Sequence, residues 1–250
     1  MTTRFDRLGK LVRRGGRSPV VGASGFTFSP AESAVQLPNT AIGISSEGLT
    51  LADSGTTVQA WASYLGGLSV TLTAPTTGQR PAYSATGGVG SRPLVSGDAI
   101  DNVLVAASAI NFGSTIELGY VGSYAGTANR TVIALDDSTT YLWASTGPQH
   151  RANALTVNTV VSGALSTPVH ASGDAASADV VNARIAGVIA STAAVGAGTF
   201  NARIALFARN SAGTNAGGGA LQAWYIGPQL TASQRTYLRA LLTHYTGVSS

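Results

Sequence analysis

"STIELGYVG", residues 114 to 122, sets Ile116, Leu118 and Tyr120 on alternate positions, the two-residue period of a strand with one apolar face. "SVTLTAP" at 69–75 repeats the pattern, with Val70 and Leu72 set against Ser69, Thr71 and Thr73. Working outward, strand-sized runs recur as "TVQAWAS" (57–63), "RPLVS" (92–96), "RTVIALD" (130–136), "TYLWAS" (140–145) and "LTVNTVV" (155–161). "ARIAGVIA" (183–190), "FNARIALFA" (200–208) and "ALQAWYIG" (220–227) continue the series, and Gly, Asn, Asp and Pro clusters separate the runs. Many short strands with no helices between them predict an all-β fold, an antiparallel jelly-roll sandwich. "NARIA" occurs at 182–186 and again at 201–205, which predicts two neighbouring antiparallel strands joined through Gly196 and Gly198.

One segment departs from that texture. "LTASQRTYLRALLTHYTG", 230–247, offers Thr231 as N-cap and Gln234 three residues on, a capping box in which each side chain satisfies the other's free backbone N–H. Tyr237, Leu238, Leu241, Leu242 and Tyr245 form one apolar stripe, and Gly247 is a natural stop. A C-terminal helix on the outside of the sandwich is expected.

Composition sets further bounds. The 250 residues are long enough for one large β domain, with 44% hydrophobic residues but only 10% charged and 7% aromatic. There is no cysteine, which excludes disulfides, thiolate metal sites and a cysteine nucleophile. No apolar run has the length of a membrane helix, and the N-terminus lacks the apolar core of a secretion signal, so assembly in a bacterial cytoplasm and no membrane insertion are expected.

Charge is segregated. Arg4, Arg7, Lys10, Arg13, Arg14 and Arg17 stand against Asp6, so residues 1–17 carry +5 of a total of +4, which leaves the other 233 residues at −1. A nucleic-acid-binding body would spread its basic residues among aromatics, so nucleic acid is not an expected partner. In "RFDRLGKLVRR" the apolar Phe5, Leu8, Leu11 and Val12 fall at helical spacing. The segment reads either as a disordered basic tail or as a docking peptide that folds on an acidic partner surface or on a sister subunit, with a transit peptide and a membrane-surface helix as further alternatives. The next stretch is broken by Gly15, Gly16, Pro19, Pro30 and Pro38. The expected organisation is a basic anchoring arm over 1–17, a linker or extended arm over 18–47, and the jelly-roll domain over 48–250.

Three stretches carry a resemblance. "VQAWASYLGG" (58–67), "RPAYSATGGVGSRPLVSGDAIDNVL" (80–104) and "GGALQAWYIGPQLTASQRTYLRALLTHYTG" (218–247) resemble the concanavalin A-like, laminin G-like jelly-roll modules of bacteriophage structural proteins and spikes. Such modules show a Trp strand, an Arg-Pro strand, an acidic "DG-x-D-D" turn, and a last strand leading into a helix with a short polar cap. The likeness spans roughly 48–248, and in "GDAIDN" Ala99 and Asn102 replace the usual glycine and second acid. It implies a virion component, exposed on a phage-like particle or gene transfer agent as a head spike or fibre.

Within that frame Asp98 and Asp101 read as the turn that hands one strand to the next, their side chains accepting from nearby backbone N–H groups. A calcium site is the alternative, although calcium takes six to eight oxygens, and catalysis is a third. A jelly-roll glycosidase needs two carboxylates flanking a cleft, and no E-x-D-x-E strand is present. The glutamates are Glu32, Glu47 and Glu117, and Asp136 with Asp137 reads as the close of a hairpin in "LDDSTTY". His150 and His170 fall in Pro-containing loops and His244 on the polar edge of the last helix, so all three read as isolated surface residues. Neither a G-x-S-x-G elbow nor a P-loop occurs.

Sugar binding needs less signal: an aromatic ring to stack on a pyranose, and Asn, Asp or Arg for its hydroxyls. Tyr124, Asn129 and Arg130 in "GSYAGTANR" and Trp143, His150 and Arg151 around "LWASTGPQHR" are the candidate carbohydrate-binding residues. Trp143 reads equally as core, while Trp61 and Trp224 read as core. The expectation is a structural, host-recognition protein, not an enzyme and without a cofactor, that binds bacterial surface polysaccharide. Its basic arm (Arg4, Arg7, Leu8, Lys10, Leu11, Arg13, Arg14 and Arg17) would hold it to other virion proteins, and a homo-oligomer is compatible with this. The alternatives are a polysaccharide-degrading enzyme on the same fold and an architectural capsid or tail protein with no ligand.

Overall fold

The computed structural model describes residues 28–124, 130–136, 140–144, 149–151, 159–160, 167–176, 180–185, 188–194, 199–213 and 216–249. In chain order these form helix α1 (Pro30–Gln36), then strands β1 (Ala41–Ile44), β2 (Leu49–Ala52), β3 (Thr57–Ala62), β4 (Thr71–Thr73), β5 (Ala82–Ser84), β6 (Leu94–Ser96) and β7 (Leu104–Ala106). Next come β8 (Ile110–Gly113), β9 (Thr115–Ser123), β10 (Arg130–Leu135), β11 (Tyr141–Ala144), β12 (Gln149–Arg151) and β13 (Thr159–Val160). The last group is β14 (Val169–Ala176), β15 (Val180–Ile185), β16 (Val188–Ala194), β17 (Phe200–Ala202), β18 (Ile204–Leu206), β19 (Ala220–Gly227) and helix α2 (Ala232–Thr246).

Hydrogen-bonded neighbours sort into two antiparallel layers. One runs β1, β19, β9, β14, β15, β16. The other runs β2, β3, β4, β7, β18, β10, β11, β12, β13. Strands β5 and β6 join the layers at one side by pairing with β3 and β19, so the sandwich curls into a half-barrel. The all-β antiparallel sandwich with a C-terminal helix is as the strand pattern predicts.

Alternation fills the space between the layers. Ile116, Leu118 and Tyr120 of β9 and Leu221, Trp224 and Ile226 of β19 face Trp61, Leu72, Leu104, Ile133, Ile204 and Leu206 from the opposite layer. Trp61 and Trp224 meet edge to face with centroids 6.3 Å apart, both fully buried as expected. A second apolar cluster lies outside the first layer, where Tyr237, Leu238, Leu241 and Leu242 of α2 cover Ile42, Ile44, Val121, Ala223 and Tyr225. The capping box of Thr231 and Gln234 forms, and Gly247 closes the helix at φ 74°.

Four expectations are corrected. Residues 28–47 are folded body rather than linker: Ser29 caps α1 by accepting from the Glu32 N–H at 3.2 Å, and β1 pairs with β19 and is buried along its whole length. Pro30 starts α1 instead of breaking the chain, because at the first helical turn its missing N–H costs nothing. The two "NARIA" copies do not pair with each other: Asn182 to Ile185 of the first lie in β15, between β14 and β16, and the second is divided between β17 and β18, which pair with β8 and with β7 and β10. His170 is buried within β14, its Nε2 3.1 Å from the Tyr225 hydroxyl.

Candidate functional site

At one end of the sandwich the short β8–β17 ladder faces the segments 37–40 and 65–68 across an open groove of about 390 Å³. The far wall is built by close backbone approach. Gly67 N–H donates to Leu37 O at 2.9 Å and Leu68 N–H to Thr40 O at 3.2 Å. A Cβ on Gly67 would lie 2.2 Å from Pro38 O, so only glycine lets the two segments run together. Leu68, Ile110 and Pro228 form the apolar floor over the buried Phe112, and the exposed Asn39 and Asn111 stand at the rim. Asn111 Oδ1 accepts from the Gly113 N–H at 2.8 Å, which fixes the side chain and leaves its amide NH₂ as a donor.

Asn39 and Pro228 also line an adjoining hollow of about 130 Å³, where Gln229 and Gln234 continue the row of amides. Both are held from behind. Gln229 Nε2 donates to Asp174 Oδ1 at 2.7 Å, and Gln234 Nε2 donates to Gln36 O at 3.2 Å while its Oε1 accepts from Thr231 N–H at 2.9 Å. Among the described residues, no Asp, Glu, Lys, Arg or His lines either hollow. The site is a preformed, uncharged trough of amides over an apolar floor.

A second cluster lies under α2. Glu117 and Asp174 are register partners on β9 and β14, both buried, and Arg235 reaches them from the first turns of the helix. Its Nε and Nη2 lie 3.0 and 2.7 Å from Glu117 Oε2, and Nη2 lies 3.5 Å from Asp174 Oδ2. Glu117 Oε2 also accepts from the Leu230 N–H at 3.0 Å, so the carboxylate sits at the positive end of the helix dipole. With His170, Tyr225 and Arg239, Glu117 and Arg235 line a small cavity. This acid pair has no strand-repeat signature, because its members meet through cross-strand register.

The sequence-picked residues fall as follows. Asp98 makes the turn expected of it: its Oδ1 accepts from the N–H groups of Ile100, Asp101 and Asn102 at 2.9 to 3.3 Å, and Asn102 Oδ1 accepts from Asp98 N–H. Ala99 takes φ 64° there, where these modules usually carry glycine. No cluster of acids or histidines fit to hold a metal forms among the described residues. Tyr124 is buried in the main core, so its ring is not a stacking face. Arg130, Trp143, and His150 with Arg151 are strand positions on β10, β11 and β12, rather than loop positions, and Thr131 pairs with Trp143 and Leu142 with His150. Asn129 and the basic arm residues Arg4, Arg7, Leu8, Lys10, Leu11, Arg13, Arg14 and Arg17 lie outside the described residues. The groove was missed because its polar groups come from three segments far apart in the chain, around Asn39, Asn111 and Gln229 to Gln234, and no two rim residues share a periodic run.

No family model matches the chain, and no curated protein is similar to it in sequence. Solved structures are similar in shape. Trypanosoma rangeli sialidase in complex with sialic acid aligns at TM-score 0.56 and 10% identity, over 97% of this chain and 40% of that one. The same sialidase with the inhibitor DANA aligns at TM-score 0.51 and 11% identity, over 98% and 39%. A looser likeness, TM-score 0.46 at 8% identity over 80% and 50%, is to the binding domain of botulinum neurotoxin DC in complex with SialylT. The chain therefore spans about two fifths of the sialidase. The expectation that it is not an enzyme is corrected by this likeness: the fold occurs within sialidases, so a chain without a recognisable catalytic motif is not thereby excluded from catalysis. At 10% identity the likeness is one of fold, a β-sandwich shared with part of a sialidase.

Proposed function

We propose that this chain is a carbohydrate-binding β-domain and that the groove of Asn39, Asn111 and Phe112 holds the sugar. The observation that carries the reading is the groove's chemistry. A pyranose presents a face of C–H groups and an edge of hydroxyls, and the trough offers an apolar floor under a rim of amides that both donate and accept. The sialidase solved with sialic acid supports it, as a fold that accompanies sugar recognition elsewhere.

The test is a glycan-array screen of the full chain followed by titration of the best ligand. Asn39→Ala and Asn111→Ala are expected to weaken binding about tenfold each, roughly 1.4 kcal/mol. Trp143→Ala serves as the comparator for the β10–β12 face. Unchanged affinity in both Asn variants would remove the groove from the proposal. Release of reducing ends in the same incubations would favour the alternative, a polysaccharide-degrading enzyme, which the sialidase likeness supports.

The setting we propose, the exterior of a phage-like particle with residues 1–17 as anchor, rests on the module resemblance and the charge segregation. Deleting 1–17 is expected to leave a folded domain that no longer joins particles. Normal incorporation of the shortened chain would sink the anchor.

A further inference from the structure

Resting on the carbohydrate-binding reading, we infer that the ligand is a neutral oligosaccharide, laid from Asn111 across Asn39 and Pro228 toward Gln229, and that acidic sugars are rejected. The two hollows, about 390 and 130 Å³, share Asn39 and Pro228, so they form successive stations on one path. Together they exceed what a single ring needs and match the size range of ligand clefts.

The rejection follows from charge. A sialic or uronic acid carries a carboxylate that must leave water on entering, and an unpaired carboxylate in a protein trough is strongly penalised. Among the described residues neither hollow offers a cation. The nearby guanidinium of Arg235 points inward, bound to Glu117 and Asp174 behind the Gln229 wall. Gln229 commits one amide N–H to Asp174, and what it has left, a second N–H and a carbonyl, is neutral, suited to a sugar hydroxyl and without the full positive charge a carboxylate needs. The trough thus differs in chemistry from what a sialic acid site demands, although the fold is shared with a sialidase.

The experiment is a glycan array printed in matched pairs, each neutral oligosaccharide beside its sialylated or uronic acid counterpart, probed with the full chain, Asn39→Ala, Asn111→Ala and Asn39→Arg. Neutral members are expected to bind at least tenfold better than their acidic partners. Asn39→Arg, at an exposed rim position, is expected to narrow that gap by raising acidic binding. Equal or stronger binding of acidic members, lost in Asn39→Ala and Asn111→Ala, would overturn the neutral-ligand inference and leave the groove reading intact. Binding to no glycan, or binding that neither alanine variant changes, would overturn the groove reading itself and the inference with it.

Discussion

Strands β9 and β19 lie side by side and present two unlike faces. Inward they carry Ile116, Leu118, Tyr120, Leu221, Trp224 and Ile226, packed against the opposite layer. Outward the same strands carry Glu117, Val121, Gln222, Ala223 and Tyr225, covered by α2. The inner face is held by non-directional burial, which tolerates any apolar shape of suitable volume. The outer face adds directional bonds that determine where the helix sits: Arg235 to Glu117 at its start, Gln222 Nε2 to Thr246 O at 3.0 Å and Arg92 Nη1 to His244 O at 2.8 Å at its end. The contrast teaches that burial builds the sandwich and that buried polar contacts orient what lies upon it. Glycine serves both faces. Gly43 pairs with Trp224 and Gly119 with Tyr225, and a Cβ at either would fall 2.1 or 2.5 Å from the aromatic ring lying across it.

The largest expected effect breaks the inner face. Trp224→Ala removes a fully buried indole from the centre of the core and should cost about 3–5 kcal/mol, read from denaturant unfolding. A loss under about 1 kcal/mol would mean that the two layers are not packed through β19.

Next in size is the outer face. Arg235→Met strands two buried carboxylates, and with the Arg side chain 22% exposed a loss of about 2–3 kcal/mol is expected. Amide exchange should rise in α2 ahead of the inner strands, which is the observation that separates loosening of the helix from global loss.

Thr231→Ala removes one half of the capping box and should cost about 1 kcal/mol, seen as a lower midpoint with an unchanged denaturant slope. The smallest effect lies away from both faces. The Thr57 hydroxyl, then Arg80, holds the exposed Asp53 carboxyl below its ordinary range. A carboxylate with a lowered folded value contributes stability above its unfolded value and loses it as pH falls through the folded one. Asp53→Asn should therefore lower the neutral plateau of a stability profile slightly and leave stability below the folded value almost unchanged, which flattens the acid limb.

Much of the architecture was legible in local patterns. The alternation of Ile116, Leu118 and Tyr120, the stripe on α2 with its capping box, and the Asp98 turn all arise from neighbours within a few residues, so period and turn chemistry reveal them. "ALQAWYIG" reads as a strand but its faces do not follow from the sequence. A bulge between Leu221 and Ala223 shifts the register, so Leu221 and Trp224 share the inner face although they are an odd number apart.

The chain by itself determined an all-β domain, the position and capping of its last helix, a cysteine-free core, and a basic N-terminal stretch beside a near-neutral remainder. The tertiary structure decided the rest: that Pro30 to Ile44 joins the fold, that Glu117 meets Asp174, and that Asn39, Leu68, Asn111 and Pro228 surround one groove. The physical reason is range. Periodicity and turn chemistry act between residues a few positions apart, whereas a groove whose walls come from segments up to 189 positions apart, as Asn39 and Pro228 are, exists only once strand register has brought those segments together.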